Sequence, residues 1–196
     1  MAKKGDLVYV LGDFAFKDHA HFIMALNGKK ILITGSHDKA SQEVYKNFTE
    51  FHRMACQKKI NGREYTLSHC AYWVWEKARY NAICLHGHSH LRLPEFDNML
   101  RSDVGVDGWG YGLVPLEVIE KKMDLKIEWM KEHGKYPIDG ESKAEGIYSR
   151  SPEQRVIDNR LKNKELMKAM GYPINDAMWP EIILDMKSNE DFSEEK

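Results

Sequence analysis

Cysteine is scarce and unpatterned in this chain of 196 residues: Cys56, Cys70 and Cys84 are an odd number, widely spaced, with no Cys-x-x-Cys pair. That argues against a disulfide framework and predicts a reducing, cytoplasmic setting. Long apolar runs are also missing. None approaches the ~18 residues of a membrane span, and the opening MAKKGDLVYV lacks the apolar segment of a signal peptide, so no membrane partner is expected. Charge of one sign is not in excess either, with 29 Lys and Arg against 30 Asp and Glu. The chain therefore lacks the footprint of an obligate nucleic-acid binder, although a local basic patch leaves nucleic acid open as a partner. What remains is 42% hydrophobic residues, enough for the core of one ordinary domain with an appendage.

Short apolar runs supply the elements. DLVYVL at 6–11 ends at Gly12-Asp13, and KILIT at 30–34 ends at Gly35-Ser36-His37-Asp38, as buried strands end when they open into polar loops. Between them DHAHFIMALNG has helical length and an Asn-Gly stop, which predicts a βαβ unit. ASQEVYKNF at 40–48 reads as a second helix. FHRMACQKKI and REYTLS flank Asn61-Gly62, a pair suited to the type I′ turn of a hairpin. NAICLHG and SDVGVDG read as further strands.

ICLHGHSH at 83–90 sets His86, His88 and His90 at every second position. Alternate residues of a strand share a face, so the three rings converge only if the run stays extended as it leaves the sheet. It is either a metal site or a polar strand end. Asp13, His37 with Asp38, and His69 likewise each follow a predicted strand. Taken singly these are ordinary: Gly-Asp is a common turn, and Ser, His and Asp are common in loops. Their joint appearance in order is much harder to obtain by accident, and strand ends hold reactive groups rigidly while facing solvent.

Gly12-Asp13-Phe14, Gly35-Ser36-His37-Asp38, Ser68-His69-Cys70 and Gly87-His88-Ser89-His90 resemble, in order, the motifs of the calcineurin-like metallophosphoesterases: Gly-Asp, Gly-Asn-His followed by Asp or Glu, a lone His, and Gly-His-x-His. The compact bacterial and phage type is the nearest likeness, RSDVGVDGW resembling the strand that follows Gly-His-x-His there, and the likeness covers roughly residues 5 to 120. It implies an α/β fold (an α+β sandwich): a two-sheet β-sandwich flanked by helices. It also implies that Asp13 bridges two metal ions, that His69 and His88 bind the second and His90 the first, and that His37 is the catalytic histidine, poised by Asp38. The activity implied is hydrolysis of a phosphodiester or phosphomonoester, small molecule or nucleotide, by a metal-bound hydroxide. A carboxylate bridges two cations through its two oxygens, and neutral imidazoles add affinity without making the site too anionic for a phosphate. The mixed ligation admits manganese first, then iron, zinc, cobalt or nickel, at one or two ions per chain.

Two departures stand out. The family's first strand, ending in Asp-x-His, has no counterpart before Asp13, so the first metal keeps only Asp13 and His90. The flanking strands then close up, or a segment from the C-terminal region, a second subunit or an upstream part of the gene fills the gap. Ser36 replaces the Asn that would reach the second metal, and its shorter hydroxyl implies an intervening water. Arg92 and Arg101, in the loop after the histidines, are candidates for holding phosphate or for solvated surface.

The predicted division is a metallophosphoesterase core at 1–123 and a helical and loop C-terminal extension at 124–196. In the extension DLKIEWMKEHG reads as a helix from Asp124. PEQRVIDNRLKNKELMKAM reads as another, started by Ser151-Pro152 and stopped at Gly171. The intervening KYPIDGESKAEGIYSRS reads as loop, and the acidic SNEDFSEEK as a disordered end. The extension serves as a packing arm or, like the open sheet, as a surface for self-association. Two alternatives to the enzyme remain: a degenerate member binding metal, nucleotide or protein with little turnover, and a structural metal domain using the histidines alone.

Overall fold

A computed structural model describes residues 2–38, 45–133 and 150–179. It is a mixed α/β structure with two sheets. The first sheet holds β1 (Leu7–Val10), β2 (Lys29–Thr34) and β3 (Glu50–Arg53) in that order, all parallel. The expected βαβ unit is present, with α1 (His19–Ala25) crossing between β1 and β2. The second sheet holds β4 (Ala55–Ile60), β5 (Arg63–Ser68), β6 (Ile83–His86) and β7 (Arg101–Asp103) in chain order. Only the β4–β5 pair is antiparallel, and it turns at Asn61 and Gly62, with φ 50° and 80°, the positive φ that a type I′ hairpin turn requires.

FHRMACQKKI is not one strand. Met54, with φ 62°, breaks it, so that β3 closes the first sheet and β4 opens the second. A single left-handed residue thus lets one extended stretch serve both sheets. Most of the helix expected over 40–48, the loop expected at 135–151 and the acidic end lie outside the described residues. β1 is an edge of its sheet and pairs with β2 alone among the described residues.

Period-2 alternation in β2 divides its side chains between two clusters. Leu32 packs with Ile23 of α1 and with Phe48. Ile31 and Ile33 instead join Tyr65, Leu67, Ile83 and Leu85 of the second sheet in the main core. That core is completed by α2 (Leu116–His133) through Val118, Ile119, Met123 and Met130. The helix expected from Asp124 therefore begins at Leu116, and residue 123 falls inside it: Pro115 accepts from the Val118 N–H and opens the first turn. α3 (Pro152–Ala169) starts as expected, with the Ser151 hydroxyl accepting from the Gln154 N–H and Pro152 at the first position. It lays Leu166 and Met167 against the same core.

Two carboxylates fix the loops at the strand ends. Asp38 does not poise the His37 ring as expected; its oxygens accept the backbone N–H groups of Asp13 (2.9 Å), Phe14 (2.8 Å) and Gly35 (2.8 Å). It ties the loop after β1 to the loop after β2. Glu95 does comparable work in the loop between β6 and β7. It pairs with Lys122 and Lys126 of α2, each at 2.9 Å. The Lys126 ammonium also donates to the carbonyls of Phe96, Met99 and Arg101. Burial would raise the Glu95 pKa, but the two ammonium groups outweigh it and hold the carboxyl well below the usual range, while burial lowers that of Lys126.

Asp38→Asn should lower stability by about 1 to 3 kcal/mol, because an amide offers one acceptor oxygen to three N–H donors. Urea unfolding followed by circular dichroism checks it; an unchanged midpoint would show that the clamp contributes nothing. Glu95→Gln, which leaves two ammonium groups short of a charge partner, should cost about 3 to 5 kcal/mol at neutral pH. The sign with pH follows from a native pKa below the ordinary 4.5. The stability from Glu95 is complete above that value and lost as pH falls towards the native pKa. Acid titration of the unfolding midpoint should show this loss in the parent protein and a shallower one in the variant.

Candidate metal centre

His69 follows β5 directly and its ring is buried, 1% exposed. Its Nδ1–H donates to the Leu11 carbonyl at 2.9 Å, which fixes the tautomer and leaves a lone pair on Nε2. Nε2 is buried and has no hydrogen-bond partner. The nearest carboxylate oxygen, Asp13 Oδ2, is 3.4 Å away, too far for the 2.7–2.9 Å of a charge-assisted hydrogen bond. Two acceptors thus face each other across a gap, and a cation between them removes the conflict. Ligands about 2.0 to 2.2 Å from one ion stand roughly 3 to 3.5 Å apart, so the spacing fits shared coordination.

The glycines of the first two motifs explain how the ring gets there. A Cβ on Gly12 would run into His69 Nδ1, and one on Gly35 would run into Asp13 Oδ1 and lie 2.8 Å from His69 Cε1. Gly12 also sits at φ 86° and is followed by Asp13 at φ 51°, a left-handed pair that a glycine makes cheaper. The other oxygen of Asp13, Oδ1, accepts the His37 backbone N–H at 2.9 Å. This turns Oδ2 towards His69.

The histidine run does not stay extended. β6 ends at His86, and His88, His90 and Leu91 take φ values of 63°, 49° and 60°, so alternation stops at the sheet edge. The three rings diverge. His86 is buried in the strand, its Nδ1–H donating to the Gly87 carbonyl, and burial lowers its pKa and keeps the ring neutral. His88 turns to His69, with ring centroids 4.7 Å apart. His90 is exposed and its Nδ1 bonds the Asp107 carboxylate at 2.6 Å. Asp103, on β7, holds this turn by accepting from Ser89 Oγ, the Leu91 N–H and the Gly105 N–H.

The structure therefore sets Asp13 and His88 each beside His69, and adds Cys70, to which the motif resemblance assigns no role. Donor atoms of His69, Cys70 and His88 all lie within 4.8 Å of one another. Neither Asp13 nor His90 is in that group. Ser36 and His37 are exposed on the loop after β2, and the His37 ring lies 5.1 Å from that of Phe16. Arg101 is not available to hold phosphate, since its guanidinium is buried and donates to the carbonyls of Tyr72 and Pro94. Arg92 is exposed. Asp103, Asp107 and the Leu11 carbonyl were missed because each acts through another residue. The one available signal was RSDVGVDG, an acid-bearing stretch downstream of the histidines.

No helix among the described residues is long and apolar enough to cross a membrane. No family model matches the chain, and no curated protein matches it. A solved structure, of a protein of unknown function from Aquifex aeolicus, is similar at 22% identity and a TM-score of 0.46, over 61% of this chain and 77% of that one.

Proposed function

We infer that the chain is a metal-dependent phosphoesterase of the calcineurin-like type. The observation that carries this is the buried, partnerless Nε2 of His69 facing the Asp13 carboxylate at 3.4 Å beside the His88 ring. A site of this kind fits a divalent ion, held by Asp13, His69 and His88. The ion would supply charge neutralisation and Lewis acidity towards a phosphoryl oxygen. β1, β5 and β6 deliver Asp13, His69 and His88 from their carboxyl ends, where ligands of α/β sheets gather.

The chain's own groups do the rest. Asp13 is aimed by the N–H of His37, and the His37 imidazole, exposed beside it, carries the proton for the leaving oxygen of a phosphate ester. Phe16 packs against that imidazole in place of the carboxylate partner expected from Asp38. The substrate is a phosphate ester, monoester or diester.

A second reading, a metal- or nucleotide-binding relative with little turnover, is favoured by His90, which bonds Asp107 and stays outside the ligand group. Activity against a panel of phosphodiesters and monoesters separates the two. Turnover that is absent from the metal-loaded protein on every substrate leaves the binding reading.

Protein loaded with excess divalent ion and then dialysed should retain nearer one ion than two per chain by elemental analysis, and His69→Ala should retain none. Two tightly held ions would show that His90 belongs to a second site. His37→Ala should lower hydrolysis of an ester with a poor leaving group by about 10² to 10⁴. Metal content should be unchanged, because the substitution keeps the backbone N–H that Asp13 uses. An unchanged rate on such a substrate removes His37 from the chemistry.

A further inference from the structure

We propose that the Cys70 thiolate is a ligand of this ion, making the site a mixed one of two imidazoles, one carboxylate and one sulfur, and shifting its preference from manganese towards zinc and cobalt. The proposal rests on the metal-binding part of the proposed function and not on the hydrolysis. Nothing in the motif resemblance assigns Cys70 a role.

Three observations point to the sulfur. Cys70 Sγ lies in the same group, within 4.8 Å, as the ring nitrogens of His69 and His88. The neighbouring Nε2 of His69 is buried and unpartnered, so a donor is already waiting for an ion at that spot. The turn that presents Cys70 is fixed, since Ser68 Oγ donates to the Cys70 carbonyl at 2.8 Å and the Gly87 N–H to the His69 carbonyl at 3.1 Å.

The other cysteines are placed for packing. Cys84 is fully buried in β6 and Cys56 packs against the main core from β4, and burial raises the pKa of both thiols. Cys70 is only partly buried, so an ion can reach it from solvent.

The donor set then decides the metal. Two nitrogens and a sulfur lie within 4.8 Å of one another, and Asp13, outside that group but 3.4 Å from His69, is the carboxylate at hand to complete the four donors a tetrahedral zinc site takes. Thiolate is a soft donor that favours zinc and cobalt over oxygen-seeking manganese. Binding deprotonates the thiol, and the proton leaves to solvent, so each ion bound at neutral pH releases about one proton from Cys70.

The test uses the full chain, stripped of metal and reloaded with Co²⁺, Zn²⁺ or Mn²⁺ alone. Cobalt-loaded protein should show a near-ultraviolet thiolate-to-cobalt charge-transfer band that Cys70→Ser loses and Cys56→Ser keeps. The ratio of zinc to manganese affinity should fall by at least about tenfold in Cys70→Ser, since even groups that only support a ligand change affinity by 10- to 100-fold. Should Cys70→Ser fail to fold, the unmodified chain still decides the matter. Zinc loading should slow alkylation of Cys70, mapped by mass spectrometry, and leave the rate at Cys56 unchanged. Stoichiometric cobalt binding without the band, or alkylation of Cys70 that zinc does not slow, overturns the proposal while the metal site survives. No cobalt or zinc binding at all overturns both. Hydrolysis is not needed for any of these readouts, so an inactive protein with a cobalt–thiolate band would uphold Cys70 and count only against the esterase.

Discussion

One hydrogen bond organises the strand ends of this molecule: the Nδ1–H of His69 donating to the carbonyl of Leu11. It joins the two sheets, because Leu11 follows β1 of the first and His69 follows β5 of the second. It also fixes which nitrogen of the ring is bare. The glycines and the carboxylate of the neighbouring loops serve that ring. Gly12 and Gly35 lack side chains where His69 and Asp13 would collide with one, and Asp38 draws the two glycine-bearing loops together through three backbone N–H groups. Such a ring could have been stabilised by a hydrogen bond at both nitrogens. Instead one nitrogen is satisfied and the other left buried without a partner, a costly arrangement in the absence of something to bind.

The same region concentrates backbone strain. Asp13, His88, His90 and Leu91 are non-glycine residues at positive φ, each costing about 1 kcal/mol or more. The turn between β4 and β5 meets the same need with ordinary chemistry, at Asn61-Gly62. At the histidine turn the cost is offset by Asp103, whose buried carboxylate accepts from a hydroxyl and two backbone N–H groups. The strain has a geometric product: it breaks the alternation that would have put His86, His88 and His90 on one face, and it sends each ring to a different partner.

Much of the fold was legible because β2 and β6 carry short apolar runs bounded by turn residues, because Asn61-Gly62 marks the hairpin of β4 and β5, and because Ser151-Pro152 is a strong helix start. Met54 was not legible, since nothing in FHRMACQKKI distinguishes a long strand from two short ones until the chain must pass between sheets. The start of α2 was hidden for a related reason: LEVIEKKM has the helical period, but its proximity to the strand-like SDVGVDG drew the boundary too late. At the site, the residues that follow strands were found by position alone. Their partners were not. Asp38 was read as a partner of its sequence neighbour, whereas a carboxylate in a loop is as readily satisfied by backbone donors brought near by folding. Asp103 and Asp107 lie far downstream of the histidines they hold, and only the pairing of β6 with β7 brings them close.

The position of Cys70 shows why a motif and a site are different objects. As a sequence feature it is one of three unremarkable cysteines, and the residue before it carries the motif. Folding changes its standing, because His69 is committed through Nδ1 to the first sheet, so its free nitrogen must look outward to whatever the following residue and the histidine turn supply. That turn supplies His88, and the chain itself supplies the sulfur next to it. The directions of these donors are therefore set by three contacts: the His69 ring to the Leu11 carbonyl, the Gly87 N–H to the His69 carbonyl, and the Ser68 hydroxyl to the Cys70 carbonyl. A change at any of those three contacts would re-aim the donors while leaving His69, Cys70 and His88 themselves in place.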